Sequence, residues 1–217
     1  MTTALLGFAL AATLVILAPG PDFMLVMRNT VRGGRRAGWV TGCGTLSGLT
    51  VWALAAALGL SALLRVSHVA YDVLRFCGAA YLVWLGVTSL ISFRRNPTDR
   101  AGRNADIAAL GQAPVRPGRA YLNGMLSNLL NPKISVFFMA FLPAFVPAGA
   151  SASQFSLVLG AWFIAETGVW LAVVAWLADR GVRWLRRPTV QRWLERITGV
   201  VLIGFGLRLA TESRRFA

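Results

Sequence analysis

Three ionisable side chains stand where charge is expensive. Lys133 is the only lysine in a chain of 217 residues that also carries 21 arginines. It lies in NLLNPKISVFF, Asn128 to Phe138, directly after a proline and with no other charge between Arg119 and Glu166. Asp22 follows a Gly–Pro break in APGPDF, and Glu166 sits inside WFIAETGVW. One ammonium and two carboxylates are a set that binds a zwitterion by both ends. Removal from water also favours the neutral form of a carboxyl group. Asp22 and Glu166 are therefore both candidates for taking up and releasing a proton.

What surrounds these groups is set by composition. The chain is 56% hydrophobic and only 14% charged, with eight tryptophans and a mean hydropathy of +0.62. Soluble domains run at about 45–50% apolar and about 25% charged. Six apolar runs stand out, at 4–27, 38–63, 70–91, 120–147, 154–178 and 195–211. Crossing a bilayer takes roughly 20 such residues. The last run is the weakest, being shorter and carrying Arg208 near its end. Lys133 lies about thirteen residues from either end of its run, roughly 20 Å at the helical rise, too far for its ammonium to reach the interface. An unpaired charge at that depth costs about 2.5–3.5 kcal/mol. Asp22, Lys133 and Glu166 thus predict a polar centre within the lipid layer.

The formal charge of +14 gathers in clusters between apolar runs, which argues against nucleic acid as a partner. Two cysteines, Cys43 and Cys77, read as small buried hydrophobes, with no spacing for a metal site. No cofactor is implied. The N-terminus has no basic stretch ahead of its apolar run and reads as a retained first span.

Basic residues mark the cytoplasmic side. The connection RNTVRGGRRAG holds Arg28, Arg32, Arg35 and Arg36. The stretch from Arg94 to Arg119 holds six arginines, and so does DRGVRWLRRPTVQRWLER. The second connection carries little beyond Arg65 and His68, and the fourth, LPAFVPAGASASQFS, has no charge. Six spans with both termini outside fit this alternation. Arg214 and Arg215 point the other way, toward five spans with the last run on the inner surface.

The predicted fold is an all-α integral membrane protein, one transporter domain over 1–217. Its halves, 1–93 and 120–217, hold three spans each and flank a basic cytoplasmic linker at 94–119. Three spans per half places the second half upside down relative to the first. Each half opens with a span interrupted by proline, and paired interrupted helices in inverted halves mark a transporter's binding site. Pro21 and Pro132 each remove a backbone donor, restrict the residue before them and suit the first turn of a new helix. Helix N-termini at both breaks would present free N–H groups to an anion. Gly20, Pro21, Asp22, Asn131, Pro132 and Lys133 are the resulting binding candidates. Asn123, Ser127 and Asn131 share one helical face and predict a polar path toward that centre; bonds between helices are the alternative for them. Gly38, Gly42, Gly44 and Gly48 predict close helix packing, and Trp184 and Trp193 predict interfacial anchors.

The segments PGPDF, GGRRAGWVTGCG and NPKISVFFMAFLPAFV, at these positions, resemble the LysE/RhtB family of amino-acid exporters over nearly the whole chain. The resemblance implies proton-driven export of amino acids or similar small molecules across the cytoplasmic membrane. It points to Pro19, Gly20, Pro21 and Asp22, and to Asn131, Pro132 and Lys133; Glu166 rests on depth alone. The predicted function is secondary active efflux, an antiport of a zwitterion against a proton, with the lipid bilayer as its surroundings. Whether the chain forms a homo-oligomer is left open. The alternatives are an exporter of inorganic or metal ions, or an integral membrane enzyme. Lys133 competes with cations for the two acids, and neither a nucleophile–base pair nor metal-ligand spacing supports an enzyme.

Overall fold

Proline decides where helices begin. The computed structural model describes residues 2–17, 20–66, 68–92, 115–147, 150–179 and 188–211, and these form helices with no strand among them. They are α1 (Thr2–Leu17), α2 (Pro21–Val66), α3 (His68–Ser92), α4 (Pro117–Leu129), α5 (Pro132–Val136), α6 (Ala152–Asp179) and α7 (Pro188–Thr211). Four start on a proline, whose missing N–H costs nothing in a first turn. The chain is interrupted at both sites the prolines predict, between α1 and α2 and between α4 and α5.

The second break leads into irregular helix. After α5 the backbone widens into a π turn at Phe137–Phe141, then tightens into a 3-10 turn at Leu142–Phe145 with Pro143 in its first turn. A regular half-helix running outward from Pro132 is therefore not formed. The widened turn places Phe137, Phe138 and Phe141 all inward, where Phe137 lies 4.6 Å from Phe163 and Phe141 lies 4.7 Å from Phe205, ring centre to ring centre.

The stretch Arg28 to Gly38, a connection by its charge, is helical on both sides of one residue. Arginine is a good helix former, and Gly34 alone turns the chain, at φ 70°. That region is open to glycine without steric cost. The two arms of α2, 21–33 and 35–66, are tied by Asn29, whose amide donates to Thr41 Oγ1 at 2.9 Å. A side chain at Gly38 would strike the Thr30 hydroxyl.

Two stretches, Pro21–Gly59 and Ala152–Ala178, are long and apolar enough to cross a membrane, and the pair Pro117–Leu129 and Pro132–Phe145, bent by 49°, makes a third. The apolar parts of α1 and α3, Leu5–Leu17 and Phe76–Thr88, are shorter. Apolar side chains cover the surface as well as filling the core, and several polar ones are buried. Leu6, Leu10, Leu58, Leu130 and Val169 are each at least 64% exposed, while Asn29, Thr30, Thr41, Thr45, Asn128 and Asn131 are buried. Lipid tails solvate leucine as well as a protein interior does, so close packing and polar bonds must hold the helices together.

Glycine supplies the packing. α2 lies against α4 and α6, and α3 against α7. A methyl group at Gly44 would meet the Tyr121 carbonyl, and one at Gly124 the Thr41 carbonyl, so the backbones of α2 and α4 touch. Cys43 and Cys77 correct the sequence reading: both are free thiols on the exposed surface, where the surroundings expected around them are lipid, as apolar as a core. Trp193 is exposed. Pro19, Trp184 and nearly all of the 94–119 linker lie outside the described residues.

Candidate functional site

One buried carboxylate joins the two breaks. Asp22, in the first turn of α2, accepts at Oδ1 from Ser127 Oγ (2.8 Å) and at Oδ2 from Asn128 Nδ2 (2.9 Å) and Asn131 Nδ2 (3.1 Å). All three donors come from the end of α4 and the break that follows it. Asn131 explains why the break is built this way. Its backbone is extended, and its Oδ1 accepts from the Lys133 N–H at 3.1 Å, so it caps α5. With the oxygen end of the amide fixed there, the nitrogen end points at Asp22.

Lys133 starts from the first turn of α5 and lines the cavity together with Gly20 and Asp22 of the first break. Its Nζ donates to the Val15 carbonyl at 3.1 Å. Val15 is among the last four residues of α1, whose carbonyls lack partners within the helix and form the negative end of its dipole. The ammonium therefore reaches from the second break to the end of α1. Gly20 makes room for it, since a methyl group there would sit 3.2 Å from Nζ. Pro21 and Pro132 are exposed and serve as first residues of their helices.

Between these groups is a cavity of about 40 Å³ lined by Gly20, Asp22, Asn131, Lys133, Thr167 and Trp170, among others. At about 10–15 Å³ each it has room for about three or four waters. Three of its polar atoms are buried with no partner among the described residues: Asn128 Oδ1, Thr167 Oγ1 and Trp170 Nε1. The indole is positioned by stacking on Phe23, 16° from parallel at 6.3 Å. Buried polar atoms are nearly always satisfied. An acceptor, a donor and a hydroxyl are thus left open on residues that line one cavity.

Glu166 stands beside this cavity and does not line it; the wall from α6 is Phe163, Thr167, Trp170 and Leu171. Its Oε1 bonds the Thr13 hydroxyl of α1, and its Oε2 is buried without a partner. The predicted face of Asn123, Ser127 and Asn131 divides. Ser127 and Asn131 reach Asp22, while Asn123 is exposed on the outer side of α4.

Asn128, Thr167, Trp170 and Thr13 were not predicted. Asn128 lies off the i, i+4 row, and only the break after α4 lets it share a carboxylate with Asn131. A signal was available for it, since Asn128 and Asn131 are i, i+3 within one apolar run. Thr13, Thr167 and Trp170 are ordinary span residues, and their pairing across helices has no local signature.

Helices that carry apolar residues outside as well as inside, and bury polar side chains around a break that holds Lys133, are the build of an integral membrane protein. Residues 13–213 match the family described as LysE type translocator, and the chain belongs to it. It is 30% identical over 205 residues to an uncharacterized membrane protein of Bacillus subtilis (strain 168), covering 94% of this chain and 97% of that one. It is 30% identical over 206 residues to the homoserine/homoserine lactone efflux protein of Salmonella typhi, covering 94% and 95%. Identity to the threonine efflux protein of Escherichia coli (strain K12) is 27% over 211 residues, covering 94% and 96%. No solved structure matches the chain at a significant level. The protein is a multi-pass protein of the cell membrane.

Proposed function

We propose that the protein exports small hydroxylated amino acids, with L-homoserine and L-threonine as first candidates, in exchange for protons. Six spans in two inverted halves, 1–93 and 120–217 about the 94–119 linker, would provide alternating access by rocking. The single observation that carries the reading is the cavity at the two breaks, where Asp22, the ammonium of Lys133 and three unpartnered polar atoms converge. Asp22 meets the cargo ammonium and Lys133 its carboxylate. Asn128, Thr167 and Trp170 offer partners to the hydroxyl group that homoserine and threonine share. At about 40 Å³ the cavity is a closed form that must widen to admit cargo.

The proton belongs with Glu166. Asp22 already has three donors on its two oxygens, which suits a fixed negative charge. Glu166 has one oxygen without a partner and only the Thr13 hydroxyl on the other, so a proton is taken up there with a single bond to rearrange.

Purified protein in liposomes preloaded with radiolabelled L-homoserine or L-threonine tests the proposal. An imposed pH gradient should accelerate efflux, and Asp22→Asn should reduce it at least about tenfold, as expected for a lost charged hydrogen-bonding partner. Efflux that ignores the gradient in the wild type, or survives Asp22→Asn unchanged, contradicts the proposal.

A further inference from the structure

The first arm of α2 and helix α4 leave a second, larger space on the outer side of Asp22. Pro21, Met24, Leu25 and Arg28 face Asn123, Leu126, Ser127 and Leu130 across a groove of about 390 Å³. Both sets follow i, i+3, i+4, i+7 spacing, so each is one stripe of its helix. The volume falls within the roughly 300–1,000 Å³ of small-molecule sites.

We infer that this groove captures the carboxylate of the cargo on its way to the cavity, with Arg28 as the anion-binding group. The inference rests on the exporter reading above. Arg28 Nε is buried and has no hydrogen-bond partner among the described residues. None of the residues lining the groove is acidic. A guanidinium nitrogen withdrawn from water without an acceptor is unfavourable, and a planar carboxylate is the ligand its fork fits best. Arg32, one turn further along the same arm, adds positive potential at that end.

Ser127 forms the party wall. It lines the groove, and its hydroxyl donates to Asp22, which lines the cavity. Arg28 and Asp22 are six residues apart on one helix, roughly 9 Å along the axis. A zwitterion held by its carboxylate at Arg28 therefore presents its ammonium toward the acid that receives it next. Leu126 and Leu130 are 48% and 78% exposed, so an acyl chain is the rival occupant. A hydrocarbon tail, however, gives the guanidinium no partner.

Homoserine and homoserine lactone separate the cases, because the lactone keeps the ammonium and replaces the carboxylate by a ring ester. Efflux of each from preloaded liposomes is measured over a range of internal concentration. For Arg28→Gln the half-saturating concentration of homoserine should rise about tenfold or more, and that of the lactone should stay within about twofold. Asn123→Glu, which sets a carboxylate across the groove from Arg28, should give the same selective loss. Equal loss for both compounds, or no change for homoserine, overturns the inference and leaves the exporter reading standing. Loss of a co-purifying phospholipid from Arg28→Gln with homoserine transport intact also overturns it, in favour of the acyl chain. A wild type that moves neither compound, nor L-threonine, removes the exporter reading and this inference with it.

Discussion

Asn128 donates from Nδ2 to Asp22 Oδ2 at 2.9 Å, and its Oδ1 is buried without a partner of its own. One carboxamide thus binds the Asp22 carboxyl group and keeps its own oxygen buried without a partner among the described residues. Gly48 lies against it, and a methyl group there would come within 2.9 Å of its side chain.

Replacing Asn128 should accordingly disturb its bond to Asp22. Asn128→Leu removes the donor and fills the space, leaving Asp22 one bond short in a buried setting. A cost of about 1.5–3 kcal/mol follows for a hydrogen bond to a charged group. Asn128→Asp should do more harm, since it sets a second carboxylate against the first. Both variants should lower the melting temperature in detergent and reduce homoserine efflux. Asn128→Asp that equals the wild type in both assays would contradict the reading of Asp22 as a standing anion.

Helix contact is tested by glycines that share a residue type and differ only in surroundings. Gly124→Ala drives a methyl group into the Thr41 carbonyl and must push α2 and α4 apart, whereas Gly204→Ala meets nothing within 4 Å. Overpacking costs about 1–3 kcal/mol, and alanine gains about 0.5–1 kcal/mol over glycine inside a helix. Gly124→Ala should melt earlier than the wild type, and Gly204→Ala at the same temperature or slightly later.

Lys133 and Gly20 should behave as a coupled pair. A methyl group at Gly20 would come 3.2 Å from Nζ, and the ammonium is held by the Val15 carbonyl at 3.1 Å, so it has little room to retreat. Gly20→Ala should reduce efflux in the wild-type background and have a much smaller effect when Lys133 is already methionine. Contacting residues show coupling of about 0.5–3 kcal/mol in such a double-mutant cycle. Additive losses would mean that Gly20 acts only through the backbone of the break.

Much of this was legible before the structure. Pro21 and Pro132 announce the two breaks because a missing N–H has the same consequence in any fold, and a charge as deep as Asp22 or Lys133 needs a partner wherever it lies. The direction of Lys133 was not legible. Its partner is a carbonyl near the end of α1, and backbone groups leave no trace in residue types. The irregular turns at 137–145 were hidden for a similar reason: the run of phenylalanines fits a regular helix equally well until the surrounding rings are placed. The connection around Gly34 was read from its charge, and charge says where a segment sits relative to the membrane and not whether it is helical.

The hydroxyl of Thr13 lies within reach of two acceptors, the Ala9 carbonyl at 2.9 Å and Oε1 of Glu166. Threonine has one proton to give. With Glu166 ionised, only one of these bonds forms at a time. With a proton on Glu166, the carboxyl donates to Thr13 and Thr13 donates to Ala9, so both form together. If Glu166 carries the coupling proton as proposed, loading it would tighten the contact between α1 and α6, and releasing it would loosen that contact beside the cavity. Glu166→Gln fixes a neutral donor at the position and should hold the tight form. Efflux of homoserine should then no longer accelerate when a pH gradient is imposed, while exchange of labelled for unlabelled homoserine across the bilayer continues. Thr13→Val removes the relay and leaves the acid in place, so it should weaken the response to the gradient without abolishing it. A full response to the gradient in Glu166→Gln would move the coupling proton to Asp22, and the fixed charge assigned there would have to be given up.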